Sequence, residues 1–220
     1  NLVYGRFLQG CYVATFLRNR VIFESHESLF DMKKLRYFVF KRLVKSKSFE
    51  KLTVISKALK DIYLEKKFLK DIEIQVAHDG ADEVRDPKNK AKLFGNEENL
   101  KVGYVGHLYR GKGMEIINSI ADKFNDEVDF HIIGGTERDI NTWKKIIKHK
   151  NVFFYGHISH KEVSNYINAL DICLLPNQKI VRPHGGKDTK INISGYTSPL
   201  KLFEYMSHNK PIIASDFPVI

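Results

Sequence analysis

Long apolar runs are missing from this sequence: nowhere do 18 or more apolar residues follow one another, which excludes a bilayer-spanning helix within it. Cysteine is scarce, with two in 220 residues, Cys11 and Cys173, far apart in apolar segments. Neither has a neighbour at metal-ligand spacing, so a disulfide scaffold and a structural zinc site are excluded and both are expected as reduced core residues. Repeats and low-complexity stretches are absent, which excludes solenoids and biased tails. These absences leave a chain, 43% hydrophobic, that can bury a real core and is expected in the cytoplasm, free or peripheral at the inner face of the membrane. It starts without methionine on the strand-like run Leu2–Tyr4 and stops at Ile220 just after another, so further sequence is expected on each side.

The net charge of +10 is unevenly spread. Residues 31–70 hold 13 Lys/Arg against 4 Asp/Glu, nearly the whole excess. There Leu35, Phe38, Val39 and Leu43 recur at helical spacing among Lys33, Lys34, Arg36, Lys41, Arg42 and Lys45. This predicts a basic amphipathic helix over 31–46 with the apolar stripe facing the core. Its polar face suits plain solvation, or peripheral contact with anionic membrane or a phosphorylated lipid acceptor. Aromatic residues interleave with the cations but follow the apolar period and match no nucleic-acid-binding motif, so nucleic acid is not an expected partner.

Strand-like and helix-like segments alternate, which predicts parallel sheets with crossover helices. The first part reads as strands 2–5, 20–24, 51–55 and 72–76 with helices 7–18, 31–46 and 57–68 between them. Residues 79–99 are polar, carry Gly80, Pro87 and Gly95 and show no period. The boundaries expected are a domain over 1–82, a linker over 83–99 and a second domain over 100–220. The second reads as strands 101–105, 128–133, 152–155, 171–175 and 211–214 with helices 112–124, 137–148, 160–168 and 199–207, a doubly wound Rossmann-like pattern. Ligands in such sheets bind beyond the carboxyl ends of the strands.

Two segments carry chemistry there. In YVGHLYRGKGMEII, residues 104–117, Gly106, Gly111 and Gly113 permit close backbone approach between a strand and a helix, and Arg110 and Lys112 add positive charge, which together suit a diphosphate. The spacing is neither that of a Walker A loop nor a G-x-G-x-x-G fingerprint; alone it equally fits a plain turn with surface cations. In GYTSPLKLFEYMSHNKPIIAS, residues 195–215, Thr197 and Ser198 are natural N-caps, Pro199 suits the first helical position, and Leu200, Leu202, Phe203 and Met206 make an apolar stripe. Glu204 reads either as an acceptor for two ribose hydroxyls or as an exposed carboxylate paired with Lys201.

These two segments, in this order, resemble the retaining glycosyltransferases of family 4, which have the GT-B fold of two facing Rossmann-like domains. The first family motif reads Gly-Arg-Leu, three variable residues, then Lys-Gly; Gly106, His107, Leu108, Lys112 and Gly113 match it, with His107 replacing the arginine. The resemblance implies that Lys112 binds the donor diphosphate, with His107 and Arg110 as the neighbouring candidates. The second motif has two glutamates with seven residues between them; Glu204 matches the later, ribose-binding one, and Tyr196 stands where the earlier one lies near the transferred sugar. Main-chain N–H groups around Thr197 to Leu200, those of Thr197, Ser198 and Leu200 on either side of Pro199, are implied as phosphate contacts, with Pro199 shaping the segment. Asp216 and Pro218 also look like the family, as do VISKALK over 54–60 and AHDGAD over 77–82, the end of an acceptor domain and the crossing to the donor domain. VIFESH over 21–26 looks like the strand that delivers a histidine to the cleft, making His26 the catalytic candidate, with Glu24 and Arg6 as weaker ones.

The resemblance therefore implies an α/β protein of GT-B type, with one nearly complete donor domain and part of an acceptor domain. It implies transfer of a sugar, with retention and without a metal or other cofactor, from a UDP- or GDP-linked donor to a glycan or lipid-linked acceptor, as in cell-envelope polysaccharide synthesis by bacteria. The loop 182–196 is expected to order over the donor, with His184 and Lys187 near phosphate. Competing readings are a nucleotide-sugar epimerase of the same fold, with Glu24 and Glu27 as its candidate carboxylates, and a non-catalytic nucleotide-binding piece.

Overall fold

A computed structural model describes residues 1–31, 34–69, 71–124, 126–181, 194–217 and 219–220, without the side chains of Asp31 and Lys67. It divides into two compact units: Asn1–Asp79 with Gly195–Ser198 and Val219, and Gly80–Ser194 with Pro199–Pro218 and Ile220. Among the described residues no helix is long and apolar enough to cross a membrane.

In the first unit, β1 (Leu2–Gly5), β2 (Arg20–Ser25), β3 (Phe49–Val54) and β4 (Ile74–Val76) form a parallel sheet in sequential order. They are joined by α1 (Leu8–Phe16), α2 (Lys34–Leu43) and α3 (Lys57–Leu64). Val21, Phe23, Leu52 and Val54 are buried with Phe40, Leu59 and Tyr63 from the helices. The ring of Tyr63 packs edge-on to Phe30 and Phe40, with centroids 5.0 and 5.6 Å away. Its hydroxyl donates to the Glu27 carbonyl at 3.0 Å, which fixes the turn that follows β2.

The stripe expected to hold α2 against the core is displaced. Leu43 is buried, but Leu35 and Phe38 are 72% and 52% exposed, and Phe40 takes the core position instead. Phe40 fits because its ring meets Phe23, Phe68 and Tyr63, a cluster assembled from four separate segments.

In the second unit, β5 (Leu100–Val105), β6 (Val128–Ile133), β7 (Val152–Gly156), β8 (Ile172–Leu175) and β9 (Ile212–Ala214) make a parallel sheet of order β7-β6-β5-β8-β9. One face buries Val102, Tyr104, Phe130 and Ile132 with Met114 and Ile117 of α4 (Met114–Ile120) and Trp143 of α5 (Glu137–Ile146). The other buries Val105, Ile133 and Cys173 with Ile167 of α6 (His160–Ala169) and Tyr205 of α7 (Leu200–Ser207). The alternation of partners along each strand is the period-two rule at work. Residues 83–99, expected as a linker, group with this unit. Asn168 donates to the carbonyls of Asp86 and Asn89 at 2.9 and 3.0 Å, and the buried Asp129 accepts from the Asn96 N–H at 2.8 Å. Cys11 and Cys173 are both free and buried, and burial pushes the Cys173 thiol up to about 12.

Candidate functional site

The strand order of the second unit reverses between β5 and β8, and at such a switch point the loops leaving the two strands open a crevice. The loop after β5 contains the glycine turn. Three hydrogen bonds pin it: the Tyr104 hydroxyl donates to the His107 carbonyl at 2.7 Å, the Trp143 indole N–H to the Leu108 carbonyl at 2.7 Å, and the Lys112 N–H to the Tyr109 carbonyl at 3.0 Å. It is also tied to the loop after β8, where the Gln178 N–H donates to the Gly111 carbonyl at 2.8 Å. The turn is thus set before any ligand arrives.

One glycine of this turn and one from the loop after β6 are required by space. Gly106 has φ 142°, and a Cβ there would collide with Cε and Nζ of Lys201. Gly134, after β6, has φ 111°, and a Cβ there would collide with the Gly106 carbonyl. Glycine at 106 therefore makes room for a lysine from α7, and glycine at 134 makes room for the turn.

Lys201 and Lys112 form the centre of this site. Lys112 is pushed down to about 8, first by burial and then by the charge of Lys201. Burial also lowers Lys201, with the Glu204 carboxylate one turn along α7 partly opposing it. Lys201 lies in the first turn of α7, where unpaired backbone N–H groups already carry positive partial charge, and no side chain caps that end. Two poorly hydrated ammonium groups beside an uncapped helix start repel one another. An anion with several oxygens and more than one negative charge relieves all three.

The start of α7 differs from expectation. Pro199 is the N-cap, with φ −83° and ψ 94°, the helix begins at Leu200, and neither Thr197 nor Ser198 caps it. The reason is that proline here stays in the extended region, so the chain turns helical one residue later than the sequence implies. The expected buried stripe is also rotated: Leu200 and Met206 are 53% and 57% exposed, and Tyr205 is the fully buried residue. Tyr205 accepts the Val105 N–H at 2.9 Å, so α7 grips the end of β5 directly. The Ser198 hydroxyl, just before the cap, is buried with no hydrogen-bond partner among the described residues.

Of the other expected donor-site residues, Glu204 is half-buried on α7 and Arg110 is exposed. The His107 ring is exposed and stacks on Tyr109 with centroids 5.0 Å apart. Tyr196 groups with the first unit, where it is buried and its carbonyl accepts from the Ser56 hydroxyl at 2.7 Å. His184, Lys187 and Pro218 lie outside the described residues.

In the first unit a second polar cluster forms at the carboxyl ends of β1 and β2. Glu24 accepts from the Tyr4 hydroxyl and contacts Nε2 of His26, while Nδ1 of His26 lies 2.9 Å from Nη2 of Arg6. A guanidinium only donates, so Nδ1 is the acceptor and the proton sits on Nε2, given to Glu24. Burial favours a raised Glu24 carboxyl, but its bonds to His26 and Tyr4 outweigh this and hold it below the usual range. Burial, and after it the bond to Glu24, pushes Tyr4 up to about 12. His26 is thereby oriented by Glu24, two residues before it on β2, and by Arg6, just after β1.

Two parallel α/β units, one with a pair of lysines at its switch point, make an α/β fold of GT-B type. The chain belongs to the family of glycosyl transferases group 1, whose model matches residues 99–220. An uncharacterized 41.2 kDa protein in the cps region of Klebsiella pneumoniae is 27% identical over 119 residues, covering 54% of this chain and 32% of that protein. TuaH, a proposed teichuronic acid biosynthesis glycosyltransferase of Bacillus subtilis (strain 168), is 24% identical over 128 residues, covering 57% of this chain and 29% of TuaH. These matches span about a third of the length of the curated relatives. Among solved structures, Anabaena HepE in complex with UDP superimposes with a TM-score of 0.70 at 16% identity, covering 99% of this chain and 60% of HepE.

The motif reading found Gly106 and Lys112 but assigned Lys201 only as a surface partner of Glu204, and it missed Tyr205, Trp143 and Gly134. Lys201 had a visible signal, a cation two residues inside a helix that opens on Ser-Pro, where an acidic residue is the favoured choice.

Proposed function

We propose that this chain carries the donor site of a retaining family 4 glycosyltransferase, a hexosyltransferase that takes a sugar from a UDP- or GDP-linked donor without a metal. The observation that carries the reading is the pair of partly dehydrated lysines, Lys112 and Lys201, at the uncapped start of α7. The diphosphate sits between them, and their charge stabilises the negative charge that grows on the departing nucleoside diphosphate. Two ammonium groups supply what a divalent cation would otherwise supply. Glu204 accepts from the ribose hydroxyls, and His107 and Arg110 flank the phosphates. By the resemblance, the main chain around Thr197, Ser198, Pro199 and Leu200 completes the phosphate-binding segment.

The acceptor is a glycan or lipid-linked glycan of a bacterial cell envelope, an assignment supported by the teichuronic acid role proposed for TuaH. His26 and Tyr196 belong near the transferred sugar by the same resemblance. An epimerase is less well supported, because both oxygens of Glu24 are already engaged by Tyr4 and His26, and Glu27 pairs with Arg36 at 3.1 Å.

Calorimetric titration with UDP, GDP and ADP, each with and without EDTA, tests the donor reading. One of them is expected to bind in the presence of EDTA, and Lys112→Met and Lys201→Met are each expected to weaken it by roughly tenfold to a hundredfold, the worth of a charge-assisted bond. Binding that needs a divalent cation, or that both variants leave intact, would sink this assignment.

A further inference from the structure

We propose that the face formed by α1 and α2 docks the protein on an anionic lipid surface. Between these helices lies a groove of about 580 Å³ lined by Tyr12, Phe16, Phe38, Lys41, Arg42 and Lys45, among others. Two kinds of side chain occur there that a simply solvated surface does not bring together.

The first kind is cationic and without carboxylate partners. Among the described residues, Arg20, Arg36 and Lys51 pair with Glu50, Glu27 and Glu73, whereas no ion pair holds Lys41, Arg42 or Lys45. Arg42 lies instead over the Phe38 ring, 5.0 Å from its centroid, and Lys41 lies 5.6 Å from that of Phe68. No carboxylate lines the groove among the described residues.

The second kind is large and apolar. Val13, Phe16 and Leu17 at α1 are 56%, 68% and 71% exposed, and Leu35 and Phe38 on α2 are 72% and 52% exposed. Cations interleaved with exposed rings and aliphatic chains on adjacent helices are the composition of an interfacial surface, in which rings enter the headgroup boundary and cations meet phosphates. A second copy of the chain would set these unpaired cations against one another across a two-fold axis, which like-charge repulsion opposes. A nucleic acid would meet a face with more exposed apolar bulk than a polar phosphate backbone can use. The docking face lies wholly within the first unit and is independent of the donor reading, which rests on the second.

Flotation with vesicles of phosphatidylcholine, with and without phosphatidylglycerol, tests the proposal. The protein is expected to float only with the anionic vesicles and to be released by high salt. Neutralising the groove with Lys41→Gln, Arg42→Gln and Lys45→Gln together should weaken this binding on the order of a hundredfold, at the worth of one surface cation each. A separate Phe16→Ser and Phe38→Ser variant should weaken it by about tenfold or more through lost apolar burial. Because all five side chains are exposed or line an open groove, the unfolding midpoint and the nucleotide titration should not change in either variant. Equal binding to neutral vesicles, no binding to anionic ones, or undiminished binding by both variants would overturn the proposal. So would a sedimentation result in which Phe16→Ser and Phe38→Ser dissolve a dimer, or tighter capture of an RNA oligonucleotide by the same cations.

Discussion

Lysine at position 201 stands in the least favourable place on α7 for a cation, in its first turn, largely buried and close to a second lysine. Such a residue costs stability in the empty protein and repays it only when an anion binds. Lys201→Met is therefore expected to raise the thermal midpoint of the ligand-free protein, by about 1 kcal/mol or more in stability, while weakening nucleotide binding. A destabilised Lys201→Met protein would show that the lysine is structural. Lys112 makes a second prediction, in pH. Its pKa of about 8 lies below the ordinary 10.5, so between those values the unfolded chain holds a proton that the folded one has released. Stability therefore rises with pH across that window, by up to roughly 3 kcal/mol, and is flat with respect to this group below pH 8. Urea unfolding from pH 7 to 11 should show a larger rise in the wild type than in Lys112→Met, which keeps only the contribution of other lowered lysines such as Lys201. Lys112 was legible in the sequence because it sits in a motif with fixed spacing. Lys201 was legible only as a cation oddly placed in a first helical turn, because nothing in a one-dimensional pattern says that a lysine three residues before a glutamate lies half-buried against a neighbouring glycine turn.

At the scale of elements, period and breakers were enough to place the helices and strands, and both sheets run parallel as the alternation implied. The faces were less legible. On α2 the stripe through Leu35 and Phe38 followed helical spacing yet points outward, since the core is completed by Phe40 and by Phe30, Tyr63 and Phe68 from other segments. On α7 the buried position belongs to Tyr205, whose polar hydroxyl hides it from an apolar count but suits the one task available, accepting the N–H at the end of β5. Tyr205→Phe keeps the ring and removes that acceptor, leaving the buried Val105 N–H unpaired. A loss of about 1–3 kcal/mol is expected in chemical denaturation. Gly106→Ala should cost more than its small size suggests, since φ 142° is strained for alanine and the methyl would displace Lys201, so both stability and nucleotide binding should fall. Loss of stability with unchanged nucleotide affinity would separate the turn from the site.

Over the whole molecule, charge and apolar surface are divided between the units. The excess positive charge lies in the segment around α2, and the proposed diphosphate site lies in the second unit. That second unit also holds the only tryptophan, Trp143, whose indole N–H is bonded to the Leu108 carbonyl inside the glycine turn. Tryptophan emission therefore reports on the unit where the nucleotide is proposed to bind, and on the turn that holds Lys112. A nucleoside diphosphate at about one hundred times its dissociation constant should stabilise that unit by about 2.7 kcal/mol, seen as a rise in the Trp143 unfolding midpoint. The rise should shrink in Lys112→Met and Lys201→Met and persist after the α2 cations are neutralised. A shift that instead followed the α2 cations would place the nucleotide in the first unit, and the reading of the switch point as the donor site would have to be given up.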